Sequence, residues 1–227
     1  CLVGSEMCIR DRYKLMIVGI VGFIGAGKDT VAEVFNESGY KHESFADPLK
    51  DAVANVFGWP RAMLEGDSDQ SRAFRESIDP WWSSKLGLRK FTPRLALQLV
   101  GTEVFRDSFN PNIWLYSMEN RYVAGGMKPT VISDCRFKNE VGLIKALGGY
   151  VVKVQRGEDP HWYQMALDAA AGDQFSQHSL SDMGIHQSEW DWVNQKIDYV
   201  IRNDSSIEDL RLQTQQVIKQ IKSNKIG

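Results

Sequence analysis

Glycine, lysine, aspartate and arginine recur in this chain at spacings suited to phosphate chemistry, most densely in Leu15-Met-Ile-Val-Gly-Ile-Val-Gly-Phe-Ile-Gly-Ala-Gly-Lys-Asp-Thr30. An apolar strand there runs into a glycine-rich turn. Gly22, Gly25 and Gly27 let the backbone turn tightly and aim successive N–H groups inward, and a helix opening at Lys28 adds the positive end of its dipole. Gly25, Ala26, Gly27, Lys28, Asp29 and Thr30 are the candidate phosphate-binding residues, with Lys28 as the point charge on the outer phosphates. The run matches G-x-x-x-x-G-K-[ST] except at Asp29, where a hydroxyl residue normally meets Mg²⁺. A carboxylate can also hold that ion, directly or through water, so Asp29 is the candidate metal ligand. The plainer reading is a helix-dipole contribution of about 0.3–1 kcal/mol. Thr30 does not replace the missing hydroxyl, because the next residue on a helix points about 100° away.

Further charges fall where a parallel sheet would gather them. Ligands of such sheets sit outside the carboxyl ends of the strands, and Asp47, Asp134 with Arg136, and Arg156 each follow an expected strand. Taken singly, Asp47 reads as a helix cap, Asp134 as a partner of Arg136, and Arg156 as a solvated loop charge. Convergence favours a functional role for Asp134 and Arg136. Phosphoryl transfer depends mainly on positioning and charge neutralisation, and an arginine at the transferring group can contribute ~10³ to 10⁵ in rate.

The elements needed to hold these residues are legible as alternating strands and helices. The first helix is expected from Lys28 to Ser38, stopped by Gly39, then a strand over Lys41–Phe45. Asp47-Pro48 reads as a cap and first helical proline opening a helix to Phe57. Residues 58–91, broken by Gly58, Pro60, Gly66 and Pro80, read as an irregular insertion, with burial implied by Trp81-Trp82. Helices follow from Thr92-Pro93 to Arg106 and from Asn110-Pro111 to Gly125-Gly126. Next come a strand over Pro129–Asp134, a helix over Phe137–Leu147 and a strand over Tyr150–Gln155. An excursion over 156–190 leads to a strand at Ile197–Arg202 and a last helix opened by a Ser205–Glu208 capping box. The expected fold class is α/β: a three-layer α/β/α domain around a parallel sheet of about five strands, with a helical insertion.

Composition narrows the partners. The chain has 227 residues, with 27 Lys and Arg against 29 Asp and Glu, a formal net charge of −2. Such a balance does not favour a nucleic-acid polymer. The longest apolar stretch, around residues 15–24, is too short to span a bilayer, so no membrane partner is expected. Residues 1–12, CLVGSEMCIRDR, resemble a translated sequencing adapter. The expectation is a non-native leader over 1–15, a natural start at Met16, and a single domain over 16–227. Without Cys1 and Cys8 only Cys135 remains, which fits a reducing, cytoplasmic setting. His42, His161, His178 and His186 show no metal-ligand spacing, and no G-x-S-x-G elbow occurs.

Gly22–Thr30, Phe45-Ala-Asp-Pro-Leu-Lys-Asp51, Pro93-Arg-Leu-Ala-Leu-Gln-Leu-Val-Gly-Thr-Glu103, Ile132-Ser-Asp-Cys-Arg-Phe-Lys-Asn-Glu140 and His186-Gln-Ser-Glu189 resemble bacteriophage deoxynucleoside monophosphate kinases, in that order along the chain. That family similarly carries Asp after the loop lysine. The resemblance implies transfer of the terminal phosphoryl group of ATP to a 5′-deoxynucleoside monophosphate, with Mg²⁺ as cofactor, in the cytoplasm, of the host if phage-encoded. It implies that Gly25–Thr30 and Arg156 hold ATP, and that Lys28, Asp134 and Arg136 act in catalysis. The acceptor set it implies is Asp47, Lys50, Arg94, Gln98, Gly101, Thr102, Glu103, Trp114, Asp134, Arg136 and Glu140, with Trp114 as a stacking surface. Residues 156–190 would resemble the mobile lid of nucleotide kinases, and a homodimer is common for such enzymes. Arg94 and Gln98, four apart, share a helix face.

Rival readings remain open at this stage. A GTPase would need Asn-Lys-x-Asp, and Asn194-Gln-Lys-Ile-Asp198 has an extra residue. The phosphate loop cannot name its acceptor, so a dephospho-coenzyme A kinase or another small-molecule kinase competes. A nucleotide-binding module without catalysis is the third reading.

Overall fold

The computed structural model describes residues 16–224, and the leader expected over 1–15 lies outside them. The chain forms two compact units, one from residues up to Ser44 together with those from Glu119 onward, the other from Phe45–Met118.

The first unit is built on five parallel strands, β1 (Ile17–Val21), β2 (Lys41–Glu43), β3 (Thr130–Ile132), β4 (Tyr150–Gln155) and β5 (Tyr199–Arg202), in the order β2-β3-β1-β4-β5. The strand that feeds the glycine-rich loop is therefore central. All five of its residues are buried, as a strand covered on both faces requires. Val18 and Ile20 face helix α1 (Lys28–Glu37) in one core with Val31, Val34, Phe35 and Ile201. The C-terminal helix (Ile207–Ser223) adds Leu210, Val217 and Ile221 to that core. On the opposite face Gly19 meets Cys135 and Ile144, the latter on the helix Lys138–Ala146. These are the three layers that the alternation of strands and helices predicts.

The second unit holds helices α2 (Asp47–Phe57), α3 (Asp69–Glu76), α4 (Pro80–Leu86) and α5 (Pro93–Gln98) and the first half of α6 (Ile113–Ala124). The later helices, all in the first unit, are α7 (Lys138–Ala146), α8 (Tyr163–Ala170), α9 (Gln174–Asp182) and α10 (Ile207–Ser223). Residues 58–91 are more regular than their prolines and glycines suggest. Ser68 caps α3 through the Ser71 amide, and Asp79 caps α4 through the Trp82 amide. Their core is aromatic: Phe57 stacks on Trp59 at 4.7 Å, and the Trp82 indole N–H donates to the Phe57 carbonyl at 3.0 Å. Trp81, by contrast, is 58% exposed.

Several local expectations shift. Asp47 is not a cap, since the capping position is Ala46 with near-helical angles and no side-chain bond; the Asp47 carboxylate instead accepts from Arg61 at 3.0 Å. The last helix is capped by Ser206, one residue after the expected Ser205, through the Asp209 amide. The helix expected through Arg106 is α-helical only to Gln98 and continues as a π-helix over Leu99–Phe109. Its wide turns accompany a close approach, because a Cβ on Gly101 would lie 2.5 Å from Leu49 Cδ2. The excursion 156–190 contains α8, α9 and a 3₁₀ turn over Gln187–Glu189.

Gly149 opens β4 where no side chain fits: a Cβ would lie 2.5 Å from the Ile17 carbonyl oxygen and 2.8 Å from that of Ile144. Backbone cannot retreat as a side chain can. Gly149→Ala is therefore expected to lower stability by ~3 kcal/mol, at the upper end for overpacking, measured as a shift of the urea midpoint. Gly142→Ala is the control. A Cβ at Gly142, inside α7, meets nothing within 4 Å, so this change should be neutral or stabilise by ~0.5–1 kcal/mol.

Candidate active site

The loop after β1 has the backbone its sequence predicts. Gly22, Gly25 and Gly27 have φ of 153°, 75° and 96°, in the region where a Cβ is strained. Two are also crowded, since a Cβ on Gly22 would lie 2.4 Å from the Val154 carbonyl oxygen and one on Gly27 2.5 Å from Asn203 Nδ2. Lys28 folds back over the loop, and its ammonium donates to the carbonyls of Gly22 at 2.8 Å and Phe23 at 3.0 Å. Asn203, just after β5, donates to the Ala26 carbonyl at 2.9 Å, and the Ala26 amide donates to the Phe23 carbonyl at 3.2 Å. Gly27 opens α1 with no side-chain cap, which leaves the first amides of the helix to an anion. Asp29 is exposed in the first turn and Thr30 is half-buried behind it.

Charge is concentrated around Lys28. Burial and then the like charge of Arg136 hold its pKa below the usual lysine value, while Glu189 and Asp29 pull the other way. Arg136 lies after β3, half exposed, with Nη1 3.8 Å from Glu189 Oε1. Asp134 does not pair with Arg136 in the way its sequence neighbourhood suggests; its Oδ2 accepts from the Ser44 hydroxyl at 2.6 Å. Glu140 is buried, and its Oε2 accepts from the amides of Arg136 at 2.8 Å and Phe137 at 3.1 Å. It thus shapes the loop that carries Arg136 rather than standing open to an acceptor. Arg156 is exposed just after β4. Cys135 is buried, and burial, then Glu140 and Asp134, push its thiol well up, so it is no nucleophile.

The remaining candidates belong to the second unit. Arg94 and Gln98 are both exposed on α5, as their spacing requires, and Arg94 Nη1 bonds Glu76 at 2.6 Å. Gly101, Thr102 and Glu103 lie on the π-helix, Gly101 buried and the other two exposed. Lys50 pairs with Glu65 and lies 4.0 Å from Asp47. Trp114 is corrected: it is 6% exposed, its indole N–H donates to the Gly101 carbonyl at 3.0 Å, and its ring packs against Phe105 at 5.1 Å. A ring so occupied is core and offers no platform for stacking.

Sequence reasoning missed Asn203 and Glu189. Glu189 stands in the quoted His-Gln-Ser-Glu run, which was the available signal; nothing local marks Asn203. Among the described residues no three His, Cys, Asp or Glu side chains converge into a metal cage. A Mg²⁺ ion that takes most ligands from phosphates and water needs only one or two carboxylates, and Asp29 beside Lys28 fits that demand.

No protein-family model matches the chain. A protein of Acanthamoeba polyphaga mimivirus, assigned as a deoxynucleotide monophosphate kinase, is 34% identical over 169 residues, covering 67% of this chain and 82% of that protein. The deoxynucleoside-5′-monophosphate kinase of Escherichia phage T5 is 27% identical over 182 residues, covering 57% of this chain and 72% of that one. Among solved structures, a dephospho-CoA kinase from Campylobacter jejuni is similar at 17% identity and a TM-score of 0.45, covering 92% of this chain and 98% of that one. A shikimate kinase from Aquifex aeolicus is similar at 12% identity and a TM-score of 0.41, covering 93% and 99%. Identity of 34% to the mimivirus protein over four-fifths of its length establishes that the chain belongs to the deoxynucleoside monophosphate kinase family.

Proposed function

We infer that the protein transfers the terminal phosphoryl group of ATP to a 5′-deoxynucleoside monophosphate, yielding the diphosphate and ADP. The kinship just described carries this reading, and the backbone of the Gly22–Lys28 loop supports it. An oxygen of the acceptor phosphate forms the new bond to phosphorus while the bond to the bridging oxygen of ADP breaks. A phosphate monoester has a second pKa of about 6 and is largely ionised at neutral pH, so no general base is needed. Positioning and charge neutralisation remain as the catalytic tasks.

In this reading the amides of Gly25–Thr30 and the Lys28 ammonium bind the donor phosphates, and Arg136 offsets charge on the transferring oxygens. Asp134, oriented by Ser44, faces the acceptor. Asp29 would hold Mg²⁺, which when bound screens the phosphate charges. Arg94, Gln98, Thr102 and Glu103 are the acceptor-reading candidates of the second unit, with Asp47, Lys50 and Gly101 shaping their surroundings, and Arg156 is assigned to ATP. Residues 156–190 are assigned as the segment that excludes water. No described helix is long and apolar enough to cross a membrane, and both proposed substrates are cytoplasmic metabolites. A homodimer is the proposed assembly.

The decisive assay supplies ATP, Mg²⁺ and each of the four deoxynucleoside monophosphates and separates the diphosphates by chromatography. Diphosphate from at least one acceptor is expected, with Lys28→Ala reducing turnover by ~10³-fold or more, the scale of losing a transition-state cation. ATP consumption without any nucleoside diphosphate would favour another small-molecule acceptor.

Lys28 also sets a pH dependence. Only its charged form attracts phosphate, and its pKa lies below the ordinary lysine value. ATP affinity should therefore decline with rising pH before an ordinary lysine would discharge. Arg136→Gln removes a neighbouring positive charge that lowers this pKa, so the alkaline decline should move to higher pH even where overall affinity is weaker. Calorimetric titration of ATP across neutral to alkaline pH reads both effects.

A further inference from the structure

Lys153 sits in the middle of β4, in the run Tyr-Val-Val-Lys-Val-Gln, and is 8% exposed. Every other central residue of that strand is an aliphatic, and an ammonium taken out of water needs close partners. It has a carboxylate and three rings. Asp159 Oδ1 lies 3.2 Å away, and the ammonium stands 5.3 Å from the ring centroid of Tyr163 and 5.9 Å from those of Phe23 and Trp192. Phe23 is the hub of this box, edge-on to Trp162 at 5.3 Å and to Tyr163 at 6.1 Å, and tilted on Trp192 at 5.1 Å. It is also a residue of the phosphate loop. The carbonyl of the same residue accepts from the Lys28 ammonium at 3.0 Å, so the box grips the side chain of a residue whose backbone holds the phosphate-binding lysine.

We propose that Lys153 is a positioning residue for ATP: fixed by Asp159, it gathers Phe23, Tyr163 and Trp192, and through Phe23 sets the carbonyl that aims Lys28. The excursion that supplies Asp159, Trp162 and Tyr163 is thereby tied to the phosphate loop rather than merely adjacent to it in sequence. The proposal rests on the reading of the loop as the ATP site.

Lys153→Met tests it, because the stem is retained and the charge removed, and the Asp159 carboxylate left behind is 31% exposed and can take water as its partner. The thermal midpoint should hold while KM for ATP and the calorimetric Kd of ATP rise about tenfold, the order of one desolvated cation–π contact. The KM of the deoxynucleotide should stay within about twofold, a split that general loosening would not give. Lys153→Arg should restore much of the affinity, since guanidinium also binds ring faces. Phe23→Leu should weaken ATP similarly, and the double variant should lose no more than the weaker single variant, because both act through one contact. Unchanged ATP affinity in Lys153→Met, equal rises in both KM values, or additive losses in the double variant would overturn the proposal. If Lys153→Met does not fold, Asp159→Asn takes its place under the same criteria. ATP binding is read without an acceptor, so a protein that binds ATP yet phosphorylates no deoxynucleotide would sink the functional reading alone.

Discussion

A glycine-rich turn cannot be shaped by its own side chains, and the surroundings of the loop after β1 follow from that constraint. The Gly22–Lys28 loop has three glycines at positive φ, where side chains are strained, so its form has to be imposed from outside. The neighbouring strands do so at van der Waals distance. The Val154 carbonyl abuts Gly22 from β4, and Asn203, past the end of β5, abuts Gly27 and bonds the Ala26 carbonyl. Lys28 closes the loop on itself through two carbonyls. These contacts exist only because β1 is the central strand, with β4 beside it and β5 beyond.

Electrostatics add a second layer to the same constraint. Placing a partly buried Lys28 within the field of Arg136 disfavours its charged form, and Glu189 and Asp29 offset this only in part. Glu140 contributes without touching Lys28: by taking the amides of Arg136 and Phe137 it fixes the turn from which Arg136 projects, while Asp191 accepts the next amide, that of Lys138, at 2.8 Å.

The second unit is built on different terms. Its elements are short, with two helices of eight and seven residues after the turn at Arg61–Leu64, and such lengths are marginal alone. Aromatic packing around Phe57 and Trp59, with Trp59 donating to the Asp79 carboxylate at 2.9 Å, supplies what propensity lacks. Ion pairs of Arg61 with Asp47, Asp51 and Glu65 join α2 to the turn that follows. Candidate acceptor-reading residues therefore stand on a scaffold held by rings and charges, unlike the sheet-based phosphate loop.

Sequence alone determined the layered α/β class, the order of strands and helices, β4 to the residue, and the glycine-rich turn after β1. These rest on local rules: apolar runs, glycine turns and spacing act over a few residues. The capping signals at Ser68 and Asp79 were equally local, but prolines and glycines nearby outweighed them, and residues 58–91 read as irregular. Tertiary structure decided what depends on distant neighbours. It made Trp114 a core residue by offering its N–H the Gly101 carbonyl, drew Asp47 to Arg61 instead of a helix end, and turned Asp134 to Ser44, ninety residues away. It likewise brought Asn203 to Ala26 across 177 residues and set Lys153 beneath Phe23. A side chain's partner is chosen by the space the fold leaves around it, and no pattern within a few residues of that side chain encodes that space.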